Sequence, residues 1–412
     1  MIDSSFLGPS GQWLKETPAR WKTAPLWSMF DRIKDVGHPD EMMLSVFRDY
    51  GVVPKESREN LNKTAENRNI YQLVHPGWLV VNRMKAWQGS VGISGYRGIV
   101  SGHYICFAPN HQGEARYLNY ALRSDAYRAI CQGLSRGVRP GQIEIDNDQL
   151  RKVPILCPPV DEQQAIADYL DCEIGQIDTL IAAQERFVDL LQERRQAVIG
   201  HAFQELSHSR IQLRRFIQFL TSGSRGWGDY YADKGDVFVR IGNLPRQSLQ
   251  LGGEIQRVDL PPQVREGQRT RLRENDLLFS ITAYIGSMAV VGPDWVDAYV
   301  SQHVALCRLD LSRLDPRFVG YFMLGTEGQD QLLQGAVGGT KVQLALDDIR
   351  GLRIPVSPLD EQRRIAAHLD RETAKIDTLI AKTRRHIELA KERRSALITA
   401  AVTGQIDIPK ET

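Results

Sequence analysis

Arginine, lysine, glutamine and serine recur in glycine-bounded loops of this 412-residue chain, in combinations suited to holding phosphates and reading base edges. One loop offers Lys85, Trp87 and Gln88, with Arg97 shortly after, and a second, Gly133–Gln142, offers Arg136, Arg139 and Gln142. A third, Thr221–Gly228, carries Ser222, Ser224, Arg225 and Trp227, and a fourth, Gly335–Gln343, carries Thr340, Lys341 and Gln343. Guanidinium and ammonium groups pair with phosphate oxygens, and side-chain amides match the donor–acceptor edge of a base. Glycine lets the backbone approach a ligand closely. For any one of these residues the plainer reading is a solvated loop charge.

The constellations of catalysis are missing. Gly335–Lys341 has glycines and a lysine, but in the wrong order for a phosphate-cradling G-x-x-x-x-G-K-[ST] loop. No H-E-x-x-H or cysteine cluster offers metal ligands, no glycine fingerprint follows a strand, and the N-P-P-aromatic motif that resembles adenine methyltransferases is absent. His103 and His303 recur in matched runs, Val100-Ser101-Gly102-His103 and Val300-Ser301-Gln302-His303. Each run reads as strand, which predicts buried, hydrogen-bonded histidines rather than a site. The expectation is a chain without catalytic residues and without a metal or cofactor of its own.

The elements that must position these loops follow from a repeat. About 45 residues from Pro159, Asp161-Glu162-Gln163, Ile166-Ala167, Leu170-Asp171 and Glu173, through Ile177-Asp178-Thr179-Leu180-Ile181-Ala182, to Glu193-Arg194-Arg195 return 199 positions later. The second copy runs from Pro358 and Asp360-Glu361-Gln362 through Ile376-Asp377-Thr378-Leu379-Ile380-Ala381 to Glu392-Arg393-Arg394. Each copy opens with acidic residues after a proline, the signature of a helix start. Heptad spacing then predicts a coiled-coil seam through Leu170, Ile174, Ile177, Ile181, Val188 and Leu191, and through Leu369, Ile376, Ile380, Ile387 and Leu397, with polar interruptions at Gln184 and Thr383. A helix from Asp161 to Ser207 spans roughly 70 Å at 1.5 Å per residue. The first helical copy carries net charge −7 and the second +3, which favours pairing of one with the other. An antiparallel pair would place the two flanking units at opposite ends about an approximate two-fold axis.

Those flanking units are divergent, mixed α/β and mildly basic, +5 over residues 1–160 and +2 over 208–359. The fold class is α+β, with two such units separated by two long antiparallel coiled-coil helices in a pseudo-two-fold internal repeat. The boundaries read 1–157, helix 158–207, 208–356, helix 357–405 and a tail 406–412. Short β-rich runs such as Asp236–Ile241 and Met288–Val291 precede helical patches near Ala115–Gln132 and Pro316–Leu333, and each unit closes on a strand and a proline. Five scattered cysteines without a C-x-x-C pair, no basic leader and no apolar run of 18 residues predict a cytoplasmic chain with reduced thiols and no membrane span.

The repeated P-x-D-E-Q-x-x-I-A-x-x-L-D-x-E … I-D-T-L-I-A … E-R-R segments resemble the helical regions of the specificity (S) subunit of type I restriction-modification systems. Thr399-Ala400-Ala401-Val402-Thr403-Gly404-Gln405-Ile406-Asp407 is similar to that family's ending, and the likeness runs along the whole chain. It implies two target-recognition domains, each reading one half of an asymmetric bipartite site in double-stranded DNA. The helices would set the spacer and dock two modification (methyltransferase) subunits. Restriction subunits, with endonuclease and translocase activities, would complete the complex. S-adenosylmethionine, ATP and Mg2+ would belong to those partners. Val239-Arg240-Ile241-Gly242-Asn243-Leu244 is similar to an early stretch of such domains, which adds Arg240 and Asn243 as candidate DNA contacts; Met42–Gly51 in the first unit corresponds only loosely. The alternatives are an S subunit of a related system outside type I, a protein-binding coiled-coil scaffold, and a nuclease or methyltransferase with a disguised site.

Overall fold

The computed structural model describes residues 5–57, 67–137, 143–204, 206, 209–261, 263–264, 266–335 and 343–408. Contacts divide the chain into two compact units, 1–185 with 385–412, and 186–384. In the first, short apolar runs form an antiparallel sheet of β1 (Phe30–Ile33), β2 (Leu79–Asn82), β3 (Val91–Ile93) and β4 (Tyr104–Pro109), in the order β1-β4-β2-β3. Leu79, Val80 and Val81 are buried on both faces of the sheet, which explains a continuous apolar run rather than an alternating one. Helices α1 (Ala115–Arg123) and α2 (Asp125–Gly133) cover the sheet. The patch predicted as one helix breaks at Ser124, which is extended and whose hydroxyl accepts the Tyr127 N–H as an N-cap. Lys22–Pro25 pairs with Pro154–Cys157 to close the unit, and the chain enters helix α3 (Val160–Gln204).

The second unit repeats this plan. Its sheet holds β5 (Ile217–Ser222), β6 (Leu277–Ser280), β7 (Met288–Val290) and β8 (Val304–Leu309) in the order β5-β8-β6-β7, all antiparallel, which is the first unit's order again. Helices α4 (Pro316–Leu324) and α5 (Thr326–Gly335) follow, broken at the extended Gly325. Arg210–Gln212 pairs with Arg353–Pro355 before helix α6 (Leu359–Val402). The units differ in what is added. The second carries a four-stranded mixed sheet built on Asp236–Val239, with a core of Trp227, Phe238, Val258 and Tyr299. The first has two separate strand pairs, Leu44–Phe47 with Gly51–Pro54 and Gln72–Val74 with Gly98–Val100.

Within each unit α3 and α6 run antiparallel. In the first, Arg394 bonds Asp178 at 2.8 Å and Lys391 bonds Glu185 at 3.2 Å, so numbers rise along one helix as they fall along the other. In the second, Arg195 bonds Asp377 at 3.0 Å. The repeat relates Asp178 to Asp377 and Arg195 to Arg394, so the two ion pairs are the same contact made reciprocally. Leu170, Ile174, Ile177, Ile181, Val188, Leu191, Leu369, Ile376, Ile380 and Ile387 are all buried; Leu397 is half-buried and its neighbour Ile398 is buried. The polar seam positions stay within their own helices or unpaired. Thr383 Oγ1 donates to the Leu379 carbonyl, and Gln184 Oε1 is buried without a partner.

Candidate nucleic-acid interface

The residues that recur in both helical copies turn out to hold each helix against its own globular part. Gln163 Oε1 accepts the Glu114 N–H at 2.8 Å while its amide donates to the Pro158 carbonyl. Gln362 does the same with the Asp315 N–H, at 2.9 Å, and the Ser357 carbonyl. Asp171 accepts from Arg116 and from Tyr120 Oη, both at 2.7 Å; Asp370 accepts from Arg317 at 2.8 Å and Tyr321 Oη at 2.7 Å. Burial first, and the adjoining Asp171 carboxylate second, push the Tyr120 hydroxyl well above its ordinary range. Hydrogen bonds to Asp171, Asp168 and Glu114 hold Arg116 firmly protonated. The Asp171 and Asp370 clamps are charge-assisted, which makes each worth more than a neutral hydrogen bond.

With the helices clamped, the loops fall at one end of each sheet. In the second unit, Ile281 N donates to the His303 carbonyl at 3.1 Å and Leu344 N donates to the Ile281 carbonyl at 2.9 Å. These bonds bring the β6–β7 loop, the turn before β8 and the segment after α5 together. In the first unit, Arg83 N donates to the His103 carbonyl and Ile145 N to the Arg83 carbonyl, at 2.9 and 3.0 Å. The same three segments meet there with different side chains.

Of the candidates in the first unit, Lys85 and Gln88 are exposed on the β2–β3 loop, and Trp87 is half-buried with Nε1 donating to the Met84 carbonyl. Arg136 is exposed on the short strand Ser135–Arg136. Arg97 lies past the far end of β3, where it bonds Glu41 and His75, and so is apart from this group. Arg139, Gln142, Thr340 and Lys341 lie outside the described residues. In the second unit, Ser222 ends β5 and Arg225 and Gln343 are exposed, whereas Ser224 is buried with its hydroxyl unpartnered. Arg240 is half-buried, its guanidinium 6.0 Å from the Tyr231 ring.

Two candidates are occupied by the fold itself. Trp227 packs between Phe238 and Tyr299, with ring centroids 5.5 and 5.3 Å away. Asn243 is buried; its Oδ1 accepts the Arg240 N–H at 2.9 Å and its amide donates to the Gly252 and Glu254 carbonyls at 2.8 and 2.9 Å. The expected burial of the paired histidines is also corrected. His103 and His303 are exposed, in turns, because the chain reverses after Ser101 and Ser301, whose carbonyls accept the Tyr104 and Val304 N–H groups.

Other residues at this end escaped the sequence reading. Tyr284 is 55% exposed with φ of 57°, and Arg246 lies 4.7 Å over its ring. Thr282, Gln302 and His303 form a hydrogen-bonded row beside it. Away from this end, toward the start of β6, the alternation Arg269-Thr270-Arg271-Leu272-Arg273 turns three arginines to solvent and buries Thr270 and Leu272. With Arg308, the three arginines line an open cleft. Among the described residues no group of three or more His, Cys, Asp or Glu side chains could hold a metal ion, and no helix is long and apolar enough to cross a membrane.

The family described as Type I restriction modification DNA specificity domain matches residues 27–184 and 264–389. The chain belongs to that family. Two curated relatives are the Type I restriction enzyme EcoKI specificity subunit of Escherichia coli (strain K12), 25% identical over 70% of this chain and 65% of that protein, and the StySPI specificity subunit of Salmonella potsdam, 21% identical over 94% and 90%. This chain thus spans just under two thirds of the length of the E. coli relative. A chain solved in work on complex assembly and conformational transition of the type I R-M system superposes with a TM-score of 0.69 at 15% identity, covering 95% of this chain and 99% of that one. That likeness shows a shared fold along nearly the whole chain.

Proposed function

We propose that this chain is the DNA-reading subunit of a type I restriction-modification complex, each globular unit reading one half of an asymmetric bipartite target. The observation that carries this reading is one sheet order built twice, with unlike side chains on the same three segments at the same sheet end. Equal scaffolds present their loops equivalently, and unlike loops select unlike base sequences. The helical pair sets the distance between half-sites, a geometric quantity in any two-fold reader. It also offers docking surfaces for two modification subunits: Leu180 and Leu389 are exposed on the helices of the first unit, and Phe187, Leu190 and Leu379 on those of the second. The chain itself carries no chemistry. S-adenosylmethionine serves the modification subunits, and ATP and Mg2+ serve the restriction subunits. The test is adenine-methylation mapping of DNA exposed to this chain together with its modification partner. One asymmetric bipartite motif is expected, and exchange of residues 209–356 for the corresponding part of another family member changes one half only. A motif that survives the exchange in both halves overturns the proposal.

A further inference from the structure

The turn entering β4 and the turn entering β8 share their backbone hydrogen bonds and differ in the residue between Ser and His, besides Tyr104 against Val304 at the strand entry. In both, a Ser carbonyl accepts the N–H three residues on, at 3.1 Å for Ser101 to Tyr104 and 3.0 Å for Ser301 to Val304. In both, the following His carbonyl is bonded by the strand–strand loop, through Arg83 or Ile281. Between Ser and His stands Gly102 in one unit and Gln302 in the other. Gln302 does not hang free. Its Nε2 lies 3.0 Å from His303 Nε2, and His303 Nδ1 lies 3.1 Å from Thr282 Oγ1. An amide nitrogen only donates, so His303 Nε2 accepts and its Nδ1–H donates to the threonine hydroxyl.

That row takes up one of the two amide hydrogens of Gln302. One N–H and the carbonyl oxygen remain, a donor beside an acceptor on a plane held by its neighbours. Adenine offers the complement in the major groove, with N7 accepting and N6–H donating. We infer that Gln302 is a specificity-determining residue that reads an adenine in the second unit's half-site, with His303 and Thr282 positioning its amide. This rests on the DNA-reading function proposed above. Gly102 presents no edge, so the first unit makes no such contact at the equivalent place, one concrete source of asymmetry between the half-sites. The space there is open: a Cβ built on Gly102 meets nothing within 4 Å and its backbone is not left-handed.

Methylation mapping with the complete complex tests this through four variants. Gln302→Ala is expected to lower the preference for adenine at one position of one half-site by roughly ten-fold or more, with the other positions unchanged. Gln302→Glu replaces the donor by an acceptor and is expected to move that position toward cytosine, whose N4–H donates. A purely structural role would give loss without a change of base. His303→Ala is expected to weaken the same position alone, and Gly102→Gln to add an adenine preference in the other half. A wild-type map with no bipartite motif overturns the DNA-reading function and this assignment together. An intact wild-type motif that both Gln302 variants leave unchanged, or degrade evenly at every position, overturns this assignment alone.

Discussion

Asn243 and Gln302 are both side-chain amides near a loop, and their partners give them opposite roles. Every hydrogen-bonding group of the buried Asn243 side chain goes to backbone: the Arg240 N–H and the Gly252 and Glu254 carbonyls. Asn243→Ala would remove those partners, at a cost of about 1–2 kcal/mol, since water can reach part of the freed backbone. The urea midpoint of the full chain should fall accordingly, while the motif methylated by the folded complex stays the same. A changed motif with stability intact would make Asn243 a reader after all. Loop composition could not separate these cases, because the partners of Asn243 arrive nine and eleven residues later. Trp227 is similar, since its indole is covered by Tyr299, far along the chain. Residue types were legible; which of them the fold had already used was not.

The two long helices were legible almost to their ends, at Val160–Gln204 and Leu359–Val402, because heptad spacing and an acidic first turn are local signals. Less legible was the purpose of the repeated charges. Asp178 with Arg394 and Arg195 with Asp377 are one contact made twice, yet their surroundings differ. The Arg195 side chain is 2% exposed, and that of Arg394 is 29% exposed. Removing the carboxylate from a buried cation leaves an uncompensated charge, whereas an exposed pair contributes little. Asp377→Ala is therefore expected to cost about 2–4 kcal/mol, less than for a fully buried pair because Asp377 is 44% exposed. Asp178→Ala should cost under about 1 kcal/mol. Chemical denaturation of the two variants checks the inequality, and equal losses would refute it. Arg195→Met in the Asp377→Ala background should recover much of the loss, since it removes the stranded cation.

At the scale of the molecule, a strong repeat in the helices and a weak one in the globular parts reflect different demands. Seam, Gln clamp and Asp clamp must fit the same neighbours in both copies, so Gln163 and Gln362, and Asp171 and Asp370, keep their identity. Loops facing a target are free to differ, and Gly102 against Gln302 is such a difference. The shared sheet order was therefore visible only faintly, in the two Val-Ser-x-His runs. The same division of labour predicts how spacing responds to length. One heptad added to both α3 and α6, midway along each, preserves the seam and lengthens the pair by about 10 Å. That distance corresponds to about three base pairs of duplex, which also turns the second half-site about a third of the way round the helix axis. Methylation mapping of the doubly extended chain should show unchanged half-sites separated by a longer spacer, with reduced turnover from the rotational mismatch. A heptad added to α3 alone puts the reciprocal Asp–Arg contacts out of step and should destabilise the chain instead. If the doubly extended, active complex kept its original spacer, the distance between half-sites would be set by the globular units and their partners, and the helices would be a docking surface only.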